Sequence, residues 1–425
     1  MVVPSKTVCR SADCDVVIVG AGAAGIAAGQ TLSSAGYSVK LLEARRRIGG
    51  RAWTDRERFG VPVDLGCQWL HSADINPLTR LAEELGFNVI RRNPSWGPLN
   101  ARNLLSNEDF TECAAAFDWF FKTTECFPPD APDAPVSSVF PDNWRWQPML
   151  RAVVTFMSGA EPEELSLRDY ANYLNTNQNW PLRQGYGALI ERLGRDLPVM
   201  LNAPVIRIDW SGNAVVVDSA GGRLRARTVI LTVPTSVLAT GRIVFNPPLP
   251  GSKTEAIENL PLGANNKVLL AIDGNPFGVS ADTFVVSSIE TSRVSSLQVF
   301  PFGRPLVSAF LGGALARELE RGGEAAARQF VIEELVQIFG EATRKHVGGS
   351  LVTAWGLDPW SCGAYSYAPP GQAACRPALA VPLADKLFFA GEATSVEFYS
   401  TAHGAYLSGQ RAAAEAMQSL PCRSD

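Results

Sequence analysis

The apolar run Asp15-Val-Val-Ile-Val19 passes directly into Gly20-Ala-Gly-Ala-Ala-Gly25, and no other stretch restricts the fold as sharply. β-Branched residues without polar alternation suit a strand buried on both faces. The small residues after it begin a helix that reaches about Ala35, Gly36 ends that helix, and Ser38–Glu43 forms a second apolar strand. Gly20, Gly22 and Gly25 fit the G-x-G-x-x-G spacing. The first glycine allows a tight turn, the second lets a pyrophosphate approach the backbone, and the third lets the helix lie close on the sheet. Helix-terminal N–H groups and the helix dipole then face the phosphates. Glu43 stands 43 − 25 = 18 residues beyond Gly25, near the place of an acid that binds the hydroxyls of an unphosphorylated ribose. An ordinary tight strand-to-helix turn would explain the glycines alone. It would not explain strand, helix, strand and terminal acid together.

At 425 residues the chain is too long for one simple core, which predicts two domains. A hydrophobic content of 46% with 19% charged residues indicates a globular protein. The net charge of −4 and the lack of any basic block argue against a nucleic-acid partner. With no apolar run of 18 residues and no signal-like core, neither a membrane partner nor export is expected, and the expected location is the cytoplasm. Cysteines 9, 14, 67, 113, 126, 362, 375 and 422 form no C-x-x-C pair and read as reduced thiols. Three scattered histidines, no zinc spacing and no G-x-S-x-G turn leave no metal ligands and no serine nucleophile to propose.

Farther along, "PLTRLAEELGF" and "QGYGALIERLGRDL" are amphipathic helices, and the aromatic, proline-rich stretch from Phe117 to Trp146 reads as loops and helices of a second domain. "PVIRIDWSGNAVVVDSAGGRLRARTVILTVP" predicts about three short strands, the last returning to the nucleotide-binding sheet. "NNKVLLAID" and "RPLVSAFLGG" predict strands of the second domain, and "GEAAARQFVIEELVQIFG" a helix. "KLFFAGEAT" is a buried strand entering a loop before a small-residue helix.

Three segments together carry a resemblance. "GAGAAGIAAGQTLSSAGYSVKLLEARRRIGGR", "TAWGLDPWSCGAYSYAPPG" and "LFFAGEATSVEFYSTAHGAYLSGQRAA" occur in the order found in the flavin-dependent amine oxidases, a family that includes monoamine oxidases, polyamine oxidases and flavin histone-lysine demethylases. The resemblance runs from about Asp15 to Ala414 and is weakest between 90 and 180. It implies an α/β fold in which a Rossmann-like FAD-binding domain (1–77, 186–253 and 372–425) is interleaved with an α+β substrate domain (78–185 and 254–371).

It also implies FAD. Gly20, Gly22, Ala24 and Gly25 would cradle the pyrophosphate; Glu43, Ala44, Arg45, Gly50 and Arg51 the ribose and phosphate neighbourhood; Gly66, Gln68 and Trp69 would pass the flavin ring; and Val205 would meet adenine. Trp355, Trp360, Gly391, Glu392, Thr401 and Ala402 complete the set around the flavin. Arg46 and Arg47 read instead as a solvated charge run.

For the chemistry, the resemblance implies hydride transfer from the carbon beside a neutral amine to flavin N5, giving an imine and hydrogen peroxide. Lys267 would assist the reaction of reduced flavin with oxygen, or another acceptor would take the electrons. Tyr365 would form one wall of the amine cage, and Trp360 would stand beside the ring. Gln68, Trp180, Tyr365 and Thr401 are the expected substrate contacts, with Tyr186 and the aromatics from Trp119 to Trp146 as further candidates for an apolar cavity. Two departures matter. Thr401 stands where monoamine oxidases carry a second cage tyrosine, and Ala364 where they carry the flavin-linking cysteine, so FAD is expected to be non-covalent.

The substrate expected is a small amine, aromatic or cyclic secondary amines of the nicotine type included. A polyamine oxidase or an L-amino-acid oxidase using Arg151 or Arg183 is the alternative, and a flavin-bearing regulatory protein a third reading. The oligomeric state is left open, a dimer included.

Overall fold

The computed structural model describes residues 12–420; Cys9 and Cys422 lie outside them. The strand Cys14–Val19 is central to an eight-stranded sheet, pairing in parallel with Val39–Leu42 on one side and with Gly222–Leu231 on the other. Its side chains divide by parity, as a strand must. Val16 and Ile18 enter a core with Ala24, Ala28, Ala412 and Ala413, whereas Val17 and Val19 enter another with Val215, Val229 and Leu260.

The helix Ala23–Ser34 packs against Ala402–Ser419 at close range: a Cβ on Gly409 would stand 2.1 Å from the Ala24 carbonyl oxygen. Much of the alanine and glycine content after the first strand therefore serves helix packing. This includes Ala24, whose carbonyl faces Gly409.

The stretch expected to hold three strands holds Val205–Asp209, Val215–Ser219 and Gly222–Leu231. The ten-residue third strand does two jobs. Its first half pairs antiparallel with Val215–Ser219, and from Ala226 it runs parallel to Cys14–Val19. Leu387–Phe389 joins its far end.

The second sheet has five antiparallel strands in the order Thr283–Val285, Ser296–Val299, Leu306–Gly312, Asn265–Ile272, Val347–Val352. The helix expected from Gly323 begins earlier, at Gly313, and runs to Phe339, with non-helical backbone at Gly323 (φ +84°). Its buried face includes Val331, Ile332 and Leu335, and also Glu334. That carboxylate accepts from Ser287 Oγ and from both the N–H and the Oγ of Ser295, which ties the 287–295 loop to the helix.

A third layer of helices holds the aromatic middle of the chain. Phe117, Phe120, Phe140 and Trp146 form the core of this layer, so they are not walls of a substrate cavity. Trp119 is exposed beside Trp144. No described helix is long and apolar enough to cross a membrane.

Candidate active site

The glycines of the first turn are bare for different reasons. Gly20 has φ +103°, a conformation that favours glycine. A Cβ on Gly25 would lie 2.0 Å from the Gly20 carbonyl oxygen, so the turn's own packing demands glycine there. At Gly22, φ is −80°, and an added Cβ would meet only Gly50 Cα at 3.9 Å and Gly49 O at 4.0 Å. Packing within the chain does not require glycine at 22, whereas a pyrophosphate laid on the backbone does. Gly22 is also the N-cap of Ala23–Ser34 and supplies no side-chain acceptor, which leaves helix-terminal N–H groups to an anion. The donor set thus fits a dinucleotide.

Glu43 is buried beside this turn. Its Oε2 accepts from Ala21 N at 2.8 Å and its Oε1 from Arg45 N at 2.9 Å. Each oxygen retains a lone pair suited to a ribose hydroxyl. Ala203 N donates to the Glu43 carbonyl, which brings the start of the Val205 strand alongside. Ala44 precedes Arg45, whose guanidinium donates to Asp358 and Ser361, joining the turn to the Trp355–Trp360 segment. Arg47 does not belong to a solvated run: it lies 4.3 Å over the Trp53 ring. Gly50, at φ +58°, faces Gly22.

Arg51 donates to the Ala364 carbonyl and to Glu392 Oε1. Burial alone would raise the Glu392 pKa, but Arg51, Ser366, Arg376 and the Ser400 N–H together hold it below the usual carboxylate range. Beyond Ser366 lies Arg376, fully buried, paired with Asp169 through two nitrogens and stacked 3.8 Å from the Tyr399 ring. Gly391 N donates to Ser408 Oγ.

Lys267 sits in the strand Asn265–Ile272 and is buried. Its Nζ donates to Asp64 O at 2.8 Å, Gly66 O at 2.9 Å and Gln68 Oε1 at 2.9 Å. Three acceptors match the three hydrogens of an ammonium. Burial still lowers its pKa to about 8, partly opposed by the nearby Asp64 carboxylate. Lys267 therefore joins the second sheet to the Gly66–Gln68 loop.

Trp355 is buried, with its indole N–H on Leu65 O at 3.2 Å, while Trp360 is half-buried. Tyr365 OH donates to Phe156 O at 2.6 Å, fixing the ring. Thr401 caps the helix Ala402–Ser419: its Oγ1 accepts from Gly404 N and donates to Phe398 O. Within that helix, His403 is buried with Nε2 lacking a hydrogen-bond partner among the described residues, and burial pulls its pKa down to about 3. His71 shares a 2.7 Å hydrogen bond with Asn179 and is also held below its ordinary pKa by burial. Cys362 turns its thiol to Pro359 O.

A cavity of about 560 Å³ opens beside Trp69 and is lined by Phe284, Phe302, Gln298, Asp282, Arg92 and Arg102, among others. Trp69, Trp96 and Phe284 pack mainly edge to face near it, with centroids 5.0 to 6.5 Å apart. Gln298 connects this wall to Gln68, whose Nε2 donates to Gln298 Oε1 at 3.0 Å. Trp180 is placed differently from the expectation. Pro181 lines the cavity, while Trp180 packs in a core with Leu182 and Leu189, under the Arg91 guanidinium. Tyr186 is likewise core, and Tyr365 and Thr401 do not line this cavity.

Sequence reasoning missed Asp282, Gln298, Phe284 and Trp96, which lie in short strands and loops with no readable period. Arg376 gave no signal either. A lone arginine in "CRPALA" looks solvated until Asp169 is folded against it.

Comparison with known proteins agrees with this fold. The family model for flavin containing amine oxidoreductases matches residues 23–170 and 115–417. Probable polyamine oxidase 4 of Arabidopsis thaliana is 31% identical over 93% of this chain and 85% of its own length. Polyamine oxidase 2 of the same plant is 32% identical, over 94% and 87%. Human lysine-specific histone demethylase 2 is 30% identical over 94% of this chain and 53% of its own. A solved double mutant of putrescine oxidase, redesigned in its cofactor binding, has the same fold: TM-score 0.77 at 20% identity, covering 95% of this chain and 99% of that one.

Proposed function

Since the chain belongs to the flavin-containing amine oxidoreductases and is an FAD-dependent amine oxidase, we propose that its substrate is a polyamine-class amine with an uncharged far end. An N-acylated polyamine is such a molecule. The relatives' names support the aliphatic chain, and the charge balance of the cavity supports the neutral end.

The carrying observation is Asp282, the sole carboxylate of that lining among the described residues. Its two oxygens already accept from Arg92 (2.6 Å), Gln298 Nε2 (3.1 Å) and Phe302 N (2.8 Å), and Arg102 adds a second guanidinium. A polycation would meet more positive than negative charge there. The edge-to-face cluster of Trp69, Trp96 and Phe284 favours a second reading, a compact aromatic or cyclic amine. An amino-acid substrate would need a free guanidinium: Arg151 is held by both oxygens of Glu163, whereas Arg183, over the Phe302 ring, and Arg102, on the cavity wall, are not tied to a carboxylate among the described residues, so an amino acid belongs in the test below.

When bound, FAD supplies the two-electron acceptor for the C–H bond next to the amine nitrogen. The chain's own part is orientation and environment. Tyr365, fixed through Phe156 O, offers a rigid ring face. His71 and His403 are held below the ordinary imidazole pKa by burial, and the same desolvation disfavours an ammonium and so favours the unprotonated amine. With FAD bound, Lys267 would supply positive charge to stabilise the negative charge that develops as oxygen is reduced.

Anaerobic mixing with acetylated spermine, spermine, putrescine, benzylamine, a cyclic secondary amine and L-leucine, followed by the loss of flavin absorbance, tests this. Acetylated spermine is expected to reduce the enzyme fastest. Faster reduction by spermine overturns the neutral-end reading, and reduction by benzylamine alone selects the second.

A further inference from the structure

A polar chain leads from the cavity to the buried lysine. Lys267 Nζ donates to Gln68 Oε1 (2.9 Å), Gln68 Nε2 to Gln298 Oε1 (3.0 Å), and Gln298 Nε2 to Asp282 Oδ1 (3.1 Å). Every bond points the same way. The direction follows from the two ends, because an ammonium only donates and a carboxylate only accepts. Two amides strung between such ends have one orientation that leaves no donor facing a donor. Asp282 is itself held by Arg92 and by Phe302 N.

We propose that Asp282 and Gln298 are positioning residues for the oxidase reaction: they fix the direction of the Gln68 amide, so that an oxygen and not an NH₂ group faces Lys267 Nζ. Neither residue touches Lys267. With Asp282 neutral, the Gln298 amide is free to reverse, Gln68 reverses with it, and Lys267 loses one of three acceptors. The other groups facing that lysine are the Asp64 and Gly66 carbonyls, the Asp64 carboxylate and the Cys67 thiol, whose own pKa burial raises to about 11, and the substitutions below touch none of them. Asp282 has φ +59°, a conformation that asparagine adopts readily, so Asp282→Asn is compatible with the local backbone.

The experiment titrates the lysine ammonium signals of the FAD-loaded enzyme by NMR after labelling with ¹⁵N-lysine; Lys267→Arg assigns the signal, and Lys253 serves as internal reference. Asp282→Asn and Gln298→Leu are expected to lower the Lys267 midpoint by about one pH unit, while Lys253 stays in place. Arg92→Gln removes a mouth charge but keeps the chain, and is expected to leave Lys267 within a few tenths of a unit. A Lys267 midpoint unchanged in both chain variants overturns the proposal, as does an equal shift in Arg92→Gln.

The kinetic consequence rests on the amine-oxidase reading, but the titration does not, so the two fail separately. In the chain variants the reoxidation rate constant at pH 8, read on chemically reduced enzyme mixed with oxygen, is expected to fall several-fold. A changed amine KM with an unmoved Lys267 would make Asp282 a mouth residue only and would also overturn the proposal.

Discussion

Lys253 and Lys267 are buried to nearly the same depth, 3% and 5% exposed, and each ammonium meets three oxygens. Burial lowers both pKa values to about 8. Their surroundings differ. Lys253 donates to the carbonyls of Ala378, Leu379 and Val381, at the end of the helix Cys375–Ala380, and lies 4.2 Å from the Phe389 ring with Arg411 lowering its pKa further. It is a C-terminal cap reached from another element. Lys267 has only two carbonyls, its third partner being a side-chain amide that continues to the cavity wall, and Asp64 supports its charge. Depth and titration do not distinguish the two lysines. The partner that can turn, and the cavity behind it, do.

The sharpest way to break the comparison is to exchange each lysine for methionine. Lys267→Met is expected to slow flavin reoxidation by oxygen by about 10²-fold, the scale of losing one preorganised charge at a developing anion, and stopped-flow mixing of reduced enzyme with oxygen measures it. Unchanged reoxidation would make Lys267 as structural as Lys253. Lys253→Met leaves three buried carbonyls without their donor. It is expected to lose about 2–3 kcal/mol of stability, seen as a lower urea midpoint, with turnover per bound flavin retained.

The shared pKa near 8 sharpens the comparison further. Because burial disfavours the ammonium, the cost to stability is fully present below pH 8 and is relieved as pH rises toward the unfolded value of 10.5. Each methionine variant should flatten part of that rise. Only Lys267 should also shape kinetics: reoxidation is expected to fall by about tenfold per pH unit above its pKa, and Lys267→Met to show a flat profile. A profile unaltered in Lys267→Met but changed in Lys253→Met would reverse the assignment.

The same two residues show what can be read from the chain alone. Gly20, Gly22, Gly25 and Glu43 are legible because a strand-to-helix turn imposes close spacing on residues with distinctive chemistry. Lys267 is not legible in that way: before an apolar strand it looks like an edge charge, and only the family resemblance singled it out. Lys253, in "GSKTEAIENL", looks solvated, since its three carbonyls lie more than 120 residues away. Asp282 and Gln298 fail for the same reason, as each has a partner in another strand or loop. Trp180 and the aromatics between Phe117 and Trp146 mislead in the opposite direction. Aromatic residues mark apolar space, but composition does not say whether a ligand or a neighbouring helix fills it.

The smallest expected effect lies at the cavity mouth, where the comparison passes from buried cations to an exposed one. Arg102 makes its contacts with neutral groups, the Leu105 carbonyl, Asn107 Oδ1 and the Phe110 ring, whereas Arg92 is tied to Asp282. An exposed guanidinium contributes about 0.5–1 kcal/mol to the repulsion of an incoming cation, and salt screens it. Arg102→Gln is therefore expected to raise kcat/KM for spermine about three- to fivefold at low ionic strength, to leave acetylated spermine nearly unchanged, and to lose the difference at high salt. Equal responses from both amines would mean that the mouth does not sort substrates by charge, leaving the aromatic walls of Trp69 and Phe284 as the remaining basis for selection.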